Sequence, residues 1–266
     1  MTVNTLDSAR AAQWDPNQYH LFQDERARPF FDLLGLVEPT PGGKVIDLGC
    51  GPGELTKILH ERAGAAETTG LDSSESMLVG SAAHAGNGLS FALGDLATFE
   101  DLDGFDVVFS NAALQWIDGH EALIPRLAAL VRPGGQYAVQ MPHNHDHPSH
   151  RVAHAVAAEE PFASALGGYV RQWPVHEPEW YAETLDQLGF HEQNVRLQVY
   201  GHHLASRDEV VEWVKGTLLT DYKKRFSPEL YEQYLATYRT RLMAELEDRR
   251  PYFYAFKRIL FRARRG

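Results

Sequence analysis

Residues Asp47-Leu48-Gly49-Cys50-Gly51-Pro52-Gly53 close a short apolar run, Lys44-Val45-Ile46, and open a helix-like stretch from Leu55 to Ala63. An acid and three glycines therefore stand at the C-terminal end of a strand. In an open α/β sheet this is where ligands dock, because glycines let the backbone approach closely and a helix start offers free N–H groups. A glycine triplet alone also suits an ordinary turn, so the acid two positions before Gly49 carries the discrimination. A carboxylate at Asp47 repels a dinucleotide pyrophosphate and attracts a cationic cofactor. S-adenosylmethionine, with a sulfonium and an ammonium group, fits that requirement.

Further strand ends carry polar residues in series. Glu67 to Leu71 ends in Asp72-Ser73-Ser74, about 20 residues past the glycine loop, where an acid accepts both hydrogens of a ribose diol. Helix capping is the alternative use of this segment, and the serines are available for it. Both uses are compatible, with Met77 one turn into the next helix against the adenine edge. Leu89 to Leu93 ends in Gly94-Asp95-Leu96, where the carboxylate suits the adenine amine. Phe105 to Ser110 runs into Asn111-Ala112-Ala113-Leu114-Gln115-Trp116.

This series resembles the class I methyltransferases that use S-adenosylmethionine, and within them the trans-aconitate 2-methyltransferase family. The likeness lies in WDPNQYHLFQDERARP (14–29), DLGCGPGELT (47–56), GLDSSESM (70–77), VFSNAALQWIDGH (108–120) and QYAVQMPHN (136–144). It extends more loosely to SRDEVVEWVKGT (206–217) and AFKRILFRARR (255–265). The glycine motif is shared across the superfamily, whereas the NAALQW and AVQMPHN runs are specific and carry the substrate. The resemblance implies methyl transfer to a carboxylate of trans-aconitate or a similar small polycarboxylic acid. It also implies a cofactor site of Tyr19, Arg26, Asp47, Gly49, Gly51, Asp72, Ser73, Met77, Asp95, Leu96 and Asn111.

Composition agrees and sets limits. A chain of 266 residues, 44% hydrophobic, buries a sizeable core. Its one cysteine, Cys50, excludes an internal disulfide and points to a reducing, cytoplasmic setting. No long apolar run or signal-like N-terminus is present. A formal charge of −11 argues against nucleic acid and anionic membranes as partners. The same charge disfavours an anionic substrate at long range, so local arginines must create a positive pocket within the roughly 8 Å over which salt screens.

Strand and helix patterns alternate: strand 44–48, helix 54–63, strand 67–71, helix 74–85, strand 89–93, strand 105–110, helix 119–131 and strand 135–141. Arg132-Pro133-Gly134-Gly135 marks the turn before the last of these. A helix at 177–188 and strands near 191–200 and 252–264 complete the pattern. Such alternation predicts a parallel sheet with helices on both faces. The expected class is α/β, a Rossmann-like methyltransferase domain with seven strands, the last antiparallel, and no linker dividing the chain. Residues 142–176 and 201–250 are too long for simple loops and predict helical lid insertions over the acceptor site. Ahead of the sheet, 18–36 reads as a helix with Phe22, Arg26, Phe30 and Leu33 on one face. Arg26 there needs a partner: the methionine carboxylate, with Tyr19 closing over it, or an internal acid such as Asp24.

A carboxylate acceptor is already ionised at neutral pH, so the transfer needs positioning rather than a general base. Expected to line the acceptor pocket are Gln115, Trp116, His143, Arg171 and Tyr181, Trp116 having simple core packing as its alternative. Arg171 has ordinary solvation as its alternative. Four histidines between His143 and His150 resemble a metal site, but no distant ligand group is visible in the sequence, and no metal is expected. The basic residues Lys257, Arg258, Arg262, Arg264 and Arg265 suit a docking patch for an acidic carrier in a variant reading, or more simply a half-exposed edge strand. A cofactor-binding protein without catalysis is the remaining reading.

Overall fold

The computed structural model describes residues 23–169 and 171–266, with side chains from residue 27 onward. Seven strands form one sheet in the order β3-β2-β1-β4-β5-β7-β6. They are β1 (Lys44–Leu48), β2 (Glu67–Asp72), β3 (Leu89–Leu93), β4 (Phe105–Asn111), β5 (Val131–Pro142), β6 (Phe190–Leu204) and β7 (Tyr252–Arg265). The first five are mutually parallel, and β7 runs antiparallel to both β5 and β6. Strand order reverses beside β1, so the crevice between the ends of β1 and β4 is the switch point where α/β sheets bind ligands.

Side-chain alternation along the strands builds a core on each face. Val45, Val107, Ala138 and Leu260 point to one side, where Phe30, Leu33 and Leu34 of α1 (Gln23–Leu34) and Leu59 of α2 (Glu54–Ala63) cover them. Their neighbours Ile46, Val108, Val139 and Phe261 point to the other. There Leu123, Ile124 and Leu127 of α4 (His120–Ala129) and Leu185 of α7 (Pro178–Gln187) close the layer. Between β2 and β3, α3 (Glu75–Leu78) is a single turn.

The remaining helices form a third core of their own. α5 (Pro148–Ala157) and α6 (Phe162–Ala165) follow β5, whereas α8 (Asp208–Lys215), α9 (Leu218–Arg225) and α10 (Pro228–Glu245) follow β6. Tyr222, Tyr234, Tyr238 and Trp213 fill the space between them. Two buried hydroxyls tie α10 to α5, Tyr234 donating to Ala153 O at 2.9 Å and Tyr238 to Ser149 O at 3.0 Å. Without these partners each hydroxyl would carry a desolvation cost.

Four local expectations are corrected. The helix expected over 74–85 stops at Leu78 and resumes as a 3-10 turn, Ser81–His84, beyond Gly80. Arg132–Gly135 is an outward bulge inside β5 rather than a turn before it, since Val131 already pairs with Phe105 and Gln136 with Val107. β6 runs on to Leu204, so the helical insertion begins later than residue 201. β7 lies inside the sheet, and β6 is the edge.

That last difference decides what the basic tail does. Arg262 and Arg264 each reach both Glu38 and Glu192. Lys257 pairs with Asp146, Arg258 donates to Gln140, and Arg265 donates to main-chain carbonyls of Ala129 and Val131. The row is occupied with internal pairing, which removes the patch invoked for an acidic carrier. Arg26 lies on the described backbone of α1 but its side chain does not belong to the described set, and Tyr19, Phe22 and the start of the helix expected from residue 18 lie outside the described residues.

Phe261 joins the middle of the sheet to α7, packing edge-on against Tyr137 and stacking on Tyr181. Replacing it by alanine should cost about 3–5 kcal/mol, the range for a fully buried aromatic. Urea unfolding checks this, and a loss under 1 kcal/mol would show that the two layers are not held together there.

Candidate active site at the carboxyl edge of the sheet

The glycine loop is braced from β2. Gly49 and Cys50 both donate N–H bonds to Leu71 O, at 2.8 and 3.1 Å. The Asp72 carboxylate accepts Gly51 N–H on Oδ2 and Ser74 N–H on Oδ1, both at 2.9 Å. Each oxygen retains a further acceptor position, so Asp72 can shape the loop and still receive a ribose diol. Gly49, Gly51 and Gly53 have φ of 80°, 57° and 87°, a region that glycine alone enters without strain. A Cβ on Gly49 would stand 2.2 Å from the Ala113 Cβ, which fixes the loop directly against the segment leaving β4. Met77 lies close by, its methyl 3.2 Å from the position a Gly51 Cβ would take.

Asp47 is buried, and Thr56 Oγ1 donates to its Oδ2 at 2.6 Å. Burial pushes its carboxyl up to about 7, the Thr56 bond opposes the rise, and the Asp72 charge adds to it. The same burial raises the Cys50 thiol far above neutrality, so Cys50 is a packing group and no nucleophile. Asp95 accepts Ala97 N–H at 2.8 Å and Leu96 is buried beneath it. Ser73 lies between β2 and α3, in the turn that Asp72 caps. At the end of β4, the side-chain oxygens of Asn111 and Gln115 are buried without a hydrogen-bond partner. Between them Ala112 has φ 55°, a strained value for a residue with a Cβ. Unmet buried acceptors, a glycine cradle and a strained link are features that suit a ligand-binding strand end.

Beside this cradle opens a cleft of about 420 Å³ whose lining includes Gln115, Trp116, Asp118, Tyr169, Arg171, Asp221, Lys224 and Arg225. Trp116 is 51% exposed, which settles its alternative as core. The Arg171 guanidinium lies 5.4 Å from both the Trp116 and the Trp173 ring centroids. Its side chain is only 11% exposed, yet Nε has no partner and the Asp221 carboxylate stands at 3.5 Å. Burying a guanidinium with unmet donors is costly unless an anion completes it.

Two expected residues lie elsewhere. Tyr181 is fully buried on the sheet-facing side of α7, its oxygen bonded to His120 and accepting His176 N–H, so it is core rather than pocket. His143 is buried and does not line the cleft, its Nε2 2.9 Å from Glu177 Oε2. Burial, with His145 and Lys257 adding to it, holds its imidazole down at about 4, hence neutral. Glu177 is the distant acid that the sequence did not reveal: with His143 and His145 it places three ligand-capable atoms within 4.8 Å of one another. Missed altogether were Asp221, Lys224 and Arg225, whose only sequence signal is charge at the two ends of one helix, Asp221 in its first turn and the two cations in its last.

Residues 45–135 match the methyltransferase domain family. The chain is 43% identical to a trans-aconitate 2-methyltransferase of Deinococcus radiodurans over 95% of its own length and 98% of the relative. This chain belongs to the trans-aconitate 2-methyltransferase family. It is a methyltransferase of the class I type, and S-adenosylmethionine is its methyl donor. A second relative, from Variovorax paradoxus, carries the same name and is 40% identical over 86% of this chain and 88% of its own. Among solved structures, the YcgJ protein of Bacillus subtilis shares the fold at TM-score 0.60 and 13% identity, over 90% of this chain and 98% of that one. Phosphoethanolamine N-methyltransferase 2 of Haemonchus contortus, solved with S-adenosylhomocysteine, shares it at TM-score 0.55 and 20% identity, over 90% and 52%.

On the expectation that the cationic donor binds beside Asp47, it favours the ionised carboxyl, so binding releases a proton when that group has a pKa near 7. Affinity for S-adenosylmethionine should therefore rise between pH 6 and pH 8, and Asp47→Asn should bind weakly with no such slope. Calorimetric titration across that range checks it; a flat profile in the wild-type protein would contradict it.

Proposed function

We propose that this methyltransferase esterifies one carboxylate of trans-aconitate or a similar small polycarboxylic acid. The observation that carries the reading is Arg171: a nearly buried guanidinium with an unpartnered Nε, held between two indoles in a cleft next to the end of β4. The names of the relatives from Deinococcus and Variovorax support the acid. A flat unsaturated acid suits a slot walled by Trp116 and by the Gln115 amide, whose Nε2 is fixed to Ala112 O at 2.6 Å.

Bound S-adenosylmethionine supplies an activated methyl group, displaced in line by a carboxylate oxygen. The chain's own residues have three tasks. Asp47, Gly49, Gly51, Asp72, Ser73, Met77, Asp95, Leu96 and Asn111 form the cofactor side, and Tyr19 and Arg26 belong to it in this proposal. Arg171, Lys224 and Arg225 neutralise the carboxylates that do not react. The helices of 142–176 and 201–250 act as a lid that sets these cations above the sheet edge and keeps water out. No general base is required, since a carboxylic acid has a pKa near 4 and is ionised at neutral pH. Catalysis by positioning of this kind can supply several kcal/mol of barrier reduction.

Arg171→Leu should lower kcat/KM for the acid acceptor roughly 10- to 100-fold, the worth of one or two hydrogen bonds to a charged group. The dissociation constant for S-adenosylmethionine should stay within about twofold, because Arg171 belongs to the cleft and not to the glycine cradle. Steady-state kinetics with a labelled donor measure the first and calorimetry the second. Unchanged kcat/KM would remove the cleft from consideration as the acceptor site.

A further inference from the structure

The four histidines between His143 and His150 separate in the structure into two pairs. His147 caps α5, its Nδ1 accepting Ser149 N–H at 3.1 Å, and His150 Nδ1 lies 3.0 Å from the Ser149 hydroxyl. These two rings belong to the start of that helix. His143 and His145 flank Asn144, which is buried with its amide tied at both ends: Oδ1 accepts Lys257 N–H at 3.1 Å and Nδ2 donates to the Tyr254 hydroxyl at 3.3 Å. With Asn144 held in this way, its two neighbours bring their rings together, the centroids 4.5 Å apart. Glu177 meets them from the residue before α7. Its side chain makes no capping bond to that helix; instead Oε2 stands 2.9 Å from His143 Nε2 and Oε1 stands 4.0 Å from His145 Nε2.

We infer that His143, His145 and Glu177 form a site for one divalent zinc-type ion, which joins the end of β5 to the start of α7. Two imidazoles and a carboxylate are a ligand set that zinc accepts, with water in the fourth position. Glu177 is the distant ligand that the histidine run lacks in the sequence. Tetrahedral bonds of about 2.0–2.1 Å set ligand atoms roughly 3.3 Å apart. The three atoms here already lie within 4.8 Å of one another. The remaining contraction falls on the two side chains with room to turn, since Glu177 is 65% and His145 32% exposed, whereas His143 at 4% is the fixed member. His143 Nδ1 is buried without a partner, so no second hydrogen bond holds the proton on Nε2, and that nitrogen is free to turn its lone pair to a metal. Lys257, whose charge opposes a bound cation, is paired with Asp146. Methyl transfer does not use this ion. The ring of His145 lies 6.2 Å from that of Trp173, and the Trp173 ring lies 5.4 Å from the Arg171 guanidinium, so an ion here steadies the segment that carries Arg171 into the cleft.

The test uses the full chain without an affinity tag, freed of metal by a chelator. Zinc chloride is titrated calorimetrically, and cobalt(II) chloride serves as a spectroscopic probe of coordination. The wild type should bind one zinc ion per chain with micromolar affinity or better, and should give the intense visible absorption of four-coordinate cobalt(II). His145→Ala and Glu177→Gln should each weaken zinc by about tenfold or more, the worth of even an outer partner of a ligand, whereas His154→Ala, outside the triad, should stay within about twofold. Thermal unfolding without metal establishes that each variant is folded. Absence of saturable one-to-one binding by the wild type overturns the inference. So does binding that either triad variant leaves intact, which would place the ion among others of the 13 histidines. Neither of these results touches the carboxyl-methylation reading, which the acceptor assays decide separately.

Discussion

The close approach of Gly49 to Ala113 is the constraint on which the rest of the site depends. With no room for a Cβ at Gly49, the loop after β1 and the segment after β4 are locked together across the switch point of the sheet. The first of these carries the cofactor cradle. The second carries Asn111 and, beyond it, Gln115 and Trp116, which line the cleft. In the proposed function, this one steric contact sets the methyl donor beside the group that receives the methyl, before any side chain of the helical layer is considered.

Electrostatics then divide the two halves. On the proposed cofactor side stand two acids: Asp47 is buried with its carboxyl raised to about 7, and Asp72 is committed to the loop backbone with acceptor capacity to spare. On the proposed acceptor side, Arg171 is nearly buried with its Nε unpartnered. Each half is less favourable empty than filled, because buried charge and unmet donors are expensive without partners. The net charge of −11 is therefore a poor guide to the acceptor, whose surroundings are set by a few residues held together by α9 and the segment around Trp173.

Much of the parallel half of the sheet was legible because it repeats one local signal, a short apolar run ending in polar residues at the point where a helix begins. The cofactor loop was legible for the same reason. The cleft was legible only in part. Gln115 and Trp116 follow a strand directly, and Arg171 was a pocket candidate whose alternative, ordinary solvation, only its burial between two indoles disfavours. Asp221, Lys224 and Arg225 lie on a helix that no local pattern orients toward the sheet edge. Tyr181 illustrates the converse error: next to Trp180 it resembles a pocket residue, yet adjacent positions on a helix point about 100° apart, and Tyr181 takes the core side. β7 was read as an edge because basic residues alternate along it, whereas Glu38 and Glu192, remote in sequence, make that alternation compatible with an interior strand.

Everything on the acceptor side follows from one chemical claim, that the methyl group is transferred to a carboxylate oxygen of a small acid. Transfer from methyl-labelled S-adenosylmethionine, followed by mild alkali, tests it directly. The account predicts label in a small organic acid that alkali releases as methanol, as an ester must. Label that resists alkali, or that appears in amines or phenols and in no acid, would contradict it.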